Sequence, residues 1–164
     1  MRILLVFYSR TGTTRKTAEV LANELRLKGQ DVVVEELSDK KKREGIFGWL
    51  GASKDATLRR KTEIEPLKAE VENFDLVVVG TPVWAFTATP AVCAFLERYR
   101  EKIKKVAFFC TMRSSGSKGA FKKMRKVLGK EPVSTLPLLE KIVHDSESFV
   151  EQVKGFIETL LQTV

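Results

Sequence analysis

Ile3-Leu4-Leu5-Val6-Phe7, then Ser9-Arg10-Thr11-Gly12-Thr13-Thr14, then Ala18, Leu21, Ala22 and Leu25 at helical spacing: this opening reads as strand, tight turn and helix. A turn so placed aims backbone N–H groups and short hydroxyls at the partly positive start of the helix, where a phosphate binds. Gly12 lets the backbone approach a ligand closely, and Ser9, Thr11, Thr13 and Thr14 offer hydroxyls without charge. Six residues alone leave a second reading open, a hydroxyl-rich turn with an N-capping threonine.

The rest of the chain repeats the alternation. Gly29 is a good helix stop, and residues 32–37 read as a second strand whose Glu35 and Glu36 suit an edge. Asp75-Leu76-Val77-Val78-Val79-Gly80 has the continuous apolar character of a strand buried on both faces. A loop from Thr81 to Pro90 follows, with Pro90 near the start of a helix striped by Val92, Phe95, Leu96 and Tyr99. Residues 106–110 form a fourth strand, residues 111–117 a loop, and Phe121, Met124 and Leu128 mark the next helix. Residues 133–139 read as a fifth strand, placed at an edge by Pro137, before a closing helix that carries Phe149, Val150, Val153, Phe156, Ile157, Leu160 and Leu161 on one face.

Residues 38–74 are the part that resists placement. They contain a basic segment, the glycine-punctuated Gly45-Ile46-Phe47-Gly48-Trp49-Leu50-Gly51, a mixed helical-looking stretch through Arg60 and a short helix over residues 66–71. A connector this long is uncommon in a compact domain unless it is functional or has structure of its own. Three readings stand for the aromatics: a cover on one sheet face, which we prefer, a flap over a ligand, or a membrane-dipping patch.

Five strands alternating with helices imply a single α/β domain of 164 residues, a doubly wound and mostly or wholly parallel sheet with right-handed crossovers and helices on both faces. The loops at residues 9–14, 81–87 and 111–117 then all follow carboxyl ends of strands, where such sheets bind ligands. Neither GxGxxG nor GxxxxGK[ST] occurs, which disfavours a dinucleotide Rossmann site and a P-loop. A receiver domain would need acidic residues after the first strand, and none is there.

Net charge is +8 with a pI near 9.6, a field that favours anionic ligands or partners. The basic runs are scattered and lack interleaved aromatics, so no specific nucleic acid is expected. No apolar stretch reaches the ~18 residues of a membrane span, and the sequence enters a strand at once without a signal-peptide pattern, so a cytoplasmic protein without a transmembrane segment is expected. Cys93 and Cys110 read as buried reduced thiols, and lone His144 in a polar turn as no metal ligand. Neither an acid–base catalyst nor a metal site is apparent; Ser114 and Ser115 are loop hydroxyls.

With these loops in place the chain resembles the flavodoxin family over nearly its whole length. That family's first loop reads T/S-x-T-G-x-T, and Ser9, Thr11, Gly12 and Thr14 occupy the fixed positions. The resemblance implies strand order 2-1-3-4-5 with FMN at the switch between strands one and three. It implies that Ser9, Arg10, Thr11, Gly12, Thr13 and Thr14 cradle the phosphate. Thr81, Pro82, Val83, Trp84, Ala85 and Phe86 would border the isoalloxazine, with Trp84 packed beside it and backbone groups of Val83 and Ala85 near its polar edge. Thr111, Met112, Arg113, Ser114, Ser115 and Gly116 would close the other side.

Two departures stand out. Shuttle-type flavodoxins commonly carry a stacking tyrosine in the third loop and are usually acidic, whereas this loop has no aromatic and the chain is basic. The function expected is electron transfer through FMN to a redox partner protein or a small organic acceptor such as a quinone. The alternatives are an FMN-dependent oxidoreductase linked to NAD(P)H and quinone, or a flavin-free basic anion-binding module. A homodimer would be one source of the missing aromatic. Arg113, if near the ring, would favour the reduced anion and make the two-electron couple less negative.

Overall fold

The computed structural model describes residues 1–38 and 62–163. The basic runs at residues 40–43 and 59–61, the Gly45–Gly51 aromatics and the helical-looking stretch through Arg60 lie outside the described residues.

The elements run β1 (Arg2–Phe7), α1 (Thr13–Leu27), β2 (Asp31–Glu36), a 3-10 turn (Val71–Asn73), β3 (Leu76–Trp84), β4 (Thr87–Ala88), α2 (Pro90–Tyr99), β5 (Val106–Met112), α3 (Ser117–Leu128), β6 (Thr135–Leu139), α4 (Glu140–Val143) and α5 (Ser146–Thr163). The main sheet is parallel in the order β2-β1-β3-β5-β6, with β4 paired antiparallel to the end of β3. Without that two-residue strand, the order is the expected 2-1-3-4-5. In register, Ile3 sits between Val32 and Leu76, Val77 opposite Val106, and Phe108 opposite Thr135.

Period-two alternation divides the central strands between two cores. Leu4, Val6, Val77, Val79, Phe108 and Cys110 face α2 and α3, where Val92, Phe95, Leu96, Phe121, Met124 and Leu128 are buried. Ile3, Leu5, Val78, Ala107 and Phe109 face the other way, onto Ala18, Leu21, Ala22 and Leu25 of α1 and Phe149, Val153, Ile157 and Leu160 of α5. Each helix therefore buries the stripe that its sequence carries. The outer strands carry the charged and proline residues expected of edges, β2 with Glu35 and Glu36, and β6 with Pro137.

Several boundaries differ from expectation. β2 begins and ends one residue earlier, β5 continues to Met112, and β6 starts at Thr135. The third strand runs on to Trp84 and returns through a tight turn, so most of the expected 81–90 loop is a hairpin. The short helix expected over residues 66–71 is replaced by the single turn Val71–Asn73. Pro66 has no N–H, and the amides of Lys68 and Ala69 donate to the Glu35 carboxylate at 2.9 and 2.8 Å instead of to helical carbonyls.

Candidate functional site

The carboxyl ends of β1, β3 and β5 open onto a cleft of about 540 Å³ lined by Arg10, Thr11, Thr13, Thr14, Pro82, Val83, Trp84, Thr111, Met112, Arg113 and Glu140. It lies where β1 is flanked by β2 and β3, the reversal of strand order that open α/β folds use for ligands. A larger cleft of about 800 Å³ sits at the β2 edge, between Val33–Leu37 and Leu67–Phe74. It runs along β2 to the residues just beyond its carboxyl end, Leu37 and Ser38, and shares no lining residue with the first cleft.

The first wall is built by the turn after β1. Gly12 caps α1 at φ 98°, a left-handed conformation that a side chain would strain. The Ser9 hydroxyl oxygen accepts from the amides of Gly12 at 3.1 Å and Arg15 at 3.3 Å, so Ser9 is buried beneath the loop and shapes it. Thr13 and Thr14 stand in the first turn of α1, where their amides have no carbonyl of the same helix in front of them. The Thr14 hydroxyl bonds that of Thr111 at 2.8 Å, tying the turn to the end of β5. The Thr13 hydroxyl donates to Glu140 at 3.0 Å.

The hairpin makes the second wall. Trp84 is half-buried, edge-on to Tyr8 with ring centroids 5.6 Å apart, and the Arg10 guanidinium lies 5.8 Å from its ring. Both contacts hold the indole at the cleft while leaving part of it open. Thr81 is fully buried instead: its hydroxyl accepts from the Thr89 amide at 3.1 Å and donates to the Pro82 carbonyl at 2.9 Å, bracing the hairpin base. At the tip, Ala85 (φ 46°) and Phe86 (φ 62°) are both left-handed, which residues with side chains rarely adopt. The tip is held by close packing on α3, since a Cβ on Gly119 would overlap the Phe86 carbonyl oxygen. Phe86 itself is 69% exposed.

The third wall comes from β5 and the loop beyond it. Met112 is half-buried, Arg113 is exposed at the rim, and Ser114 and Ser115 are exposed and do not line the cleft. Gly116 then caps α3 at φ 113°. Of the residues expected at a site, Arg10, Thr11, Thr13, Thr14, Pro82, Val83, Trp84, Thr111, Met112 and Arg113 converge on the cleft. Ser9, Gly12, Thr81, Ala85, Phe86, Ser114, Ser115 and Gly116 surround or support it.

Sequence reasoning missed Glu140 and Tyr8. Glu140 is the first residue beyond β6, so the rule that singled out the other strand ends also pointed to it. The chemistry of the cleft is mixed: two guanidiniums, one carboxylate, four threonines and an apolar face of Trp84, Val83 and Met112. Cys110 is not part of it. Burial pushes its thiol up to about 12, which keeps it protonated and unreactive at neutral pH. Cys93 is half-buried and its thiol is also raised, chiefly by burial. Among the described residues no cluster of three or more His, Cys, Asp or Glu is placed to hold a metal, and no helix is long and apolar enough to cross a membrane.

The family model for NADPH-dependent FMN reductase matches residues 1–147. No curated protein sequence matches the chain. Among solved structures, a Lactobacillus acidophilus flavoprotein in complex with FMN is 20% identical with a TM-score of 0.66, over 90% of this chain and 98% of that one. Oxidised flavodoxin 2 from Bacillus cereus is 16% identical with a TM-score of 0.66, over the whole of both chains. Two-electron reduced flavodoxin from Megasphaera elsdenii is 15% identical with a TM-score of 0.62, over 95% and 98%. At these identities the structural likeness shows a flavodoxin-like fold.

Proposed function

The chain belongs to the NADPH-dependent FMN reductase family, and from that membership we propose that it binds FMN in the cleft at the carboxyl ends of β1, β3 and β5, takes electrons from NADPH and delivers them to a small organic acceptor. The observation that supports this reading is the division of one cleft into a hydroxyl-rich helix start and an apolar aromatic wall. Its volume of about 540 Å³ lies in the range of cofactor sites.

The residues present fit FMN. The amides of Thr13 and Thr14, the hydroxyls of Thr11 and Thr13 and the Arg10 guanidinium would hold the phosphate, combining hydrogen-bond donors with the positive end of α1. Trp84, Val83 and Met112 would bound the ring, and Arg113 would set the charge at its rim. When bound, FMN supplies two-electron acceptance from a nicotinamide and one- or two-electron delivery; the chain binds, orients and tunes it. The loop 113–116 offers no aromatic to cover the ring, which leaves a face on which a nicotinamide or quinone can stack. Cys110, buried and protonated, takes no part.

Stopped-flow mixing of the FMN-loaded protein with NADPH under anaerobic conditions tests the reading. Bleaching of the flavin, followed by reoxidation with a quinone and multiple turnovers, supports a reductase. A flavin that NADPH does not reduce, but that a separate reductase does, would make the protein an electron carrier.

A further inference from the structure

Glu140 is the only carboxylate among the described residues lining the cleft, and it meets the element that the cofactor phosphate would use. α1 has no acidic residue in its first turn, its N-cap Gly12 has no side chain, and the Ser9 hydroxyl oxygen that takes the Arg15 amide at 3.3 Å is a neutral acceptor. A helix start of that kind attracts an anion, and a carboxylate comes to its first residue from elsewhere in the fold. The first residue of α4 reaches across so that Glu140 Oε1 accepts the hydrogen bond of the Thr13 hydroxyl at 3.0 Å. That geometry commits the Thr13 proton to Glu140 and turns the hydroxyl's lone pairs toward the cleft, where a phosphate oxygen needs a donor.

We infer that Glu140 is an anion tethered to the first residue of α1 until a phosphate displaces it from the Thr13 hydroxyl, and so sets how strongly the site prefers a phosphorylated flavin over riboflavin. The inference rests on the FMN reading above. Binding a phosphate requires the Thr13 hydroxyl to rotate from Glu140 to the ligand and leaves two anions near one helix end. Like charges in a partly enclosed site repel, so the carboxylate weakens FMN and leaves riboflavin, which has no phosphate, largely unaffected.

The test is Glu140→Gln, which keeps an acceptor for Thr13 and removes the charge. Dissociation constants of FMN and riboflavin are measured by flavin fluorescence on the flavin-free full chain, with inorganic phosphate as a competitor. The expected result is FMN binding about tenfold tighter than wild type, a gain of ~1.4 kcal/mol, with riboflavin changed less than twofold and phosphate competing at lower concentration. Equal or weaker FMN binding in the variant, or the same gain for both flavins, overturns the role given to Glu140 while leaving the cofactor assignment in place. Failure of the wild type to bind FMN at all overturns the assignment and this inference with it.

Discussion

Two glycines in helices offer the same substitution with opposite expected signs. Neither has a positive φ, so alanine at either gains helix propensity, about 1 kcal/mol in a helix interior. In α5, a Cβ on Gly155 meets nothing within 4 Å, and Gly155→Ala should stabilise by ~0.5–1 kcal/mol. In α3, a Cβ on Gly119 overlaps the backbone carbonyl of Phe86, and the obstacle is main chain rather than a side chain able to rotate away. The hairpin tip must shift although Ala85 and Phe86 already hold left-handed dihedrals. Overpacking of that kind costs ~1–3 kcal/mol, which exceeds the propensity gain, so Gly119→Ala should lose about 1 kcal/mol net. Urea unfolding followed by circular dichroism reads both values, and a change of that size moves Tm by ~2–4 °C. Because Trp84 lies two residues from Phe86, Gly119→Ala should also weaken FMN by about threefold to tenfold, while Gly155→Ala leaves it unchanged. A Gly119→Ala protein as stable as wild type would refute the packing argument, and a destabilised Gly155→Ala would refute the propensity argument.

Other expectations follow from single residues. Trp84→Ala removes the apolar wall and its contacts with Tyr8 and Arg10, and should raise the FMN dissociation constant at least tenfold, about 1.4 kcal/mol, by fluorescence titration; equal affinity would take the indole out of the site. Arg113→Ala should make the two-electron FMN potential more negative by on the order of 10 mV, because an exposed cation is screened, and an unchanged potential in a dye-equilibration titration would contradict its placement at the ring. Cys110 stays protonated in the fold up to about pH 12 while an unfolded thiol ionises near 9, so its contribution is complete below pH 9 and declines as pH rises from there toward 12. The stability difference between wild type and Cys110→Ala should therefore fall across that window by up to ~1.4 kcal/mol per pH unit, and a flat difference would contradict the buried thiol.

The strand order and both cores were legible because each depends on periodicity. Val77-Val78-Val79 could only be a strand covered on both faces, and the stripes of α1, α2, α3 and α5 matched the faces they bury. The turn at residues 9–14 was legible because glycine and hydroxyls at a helix start have a local meaning. What sequence did not reveal depended on tertiary partners. The Thr81 hydroxyl looks like a ligand group but spends its hydrogen bonds on the main chain, and the Ser9 oxygen also accepts from two main-chain amides. The hairpin return after Trp84 lacks the Asn-Gly or Asp-Gly signal of such turns, because packing on Gly119 holds Ala85 and Phe86 in its place. Glu140 enters the cleft from the far end of the chain, 127 residues from Thr13, a separation that no local pattern spans.

FMN binding in the cleft is tested most directly by titrating the purified, flavin-free chain with FMN, followed by visible absorption and by quenching of flavin fluorescence. One FMN should bind per chain, with the affinity reduced in Trp84→Ala. A protein that leaves FMN fluorescence and absorption unchanged at every concentration would contradict this, keeping the fold while removing the cofactor from the cleft.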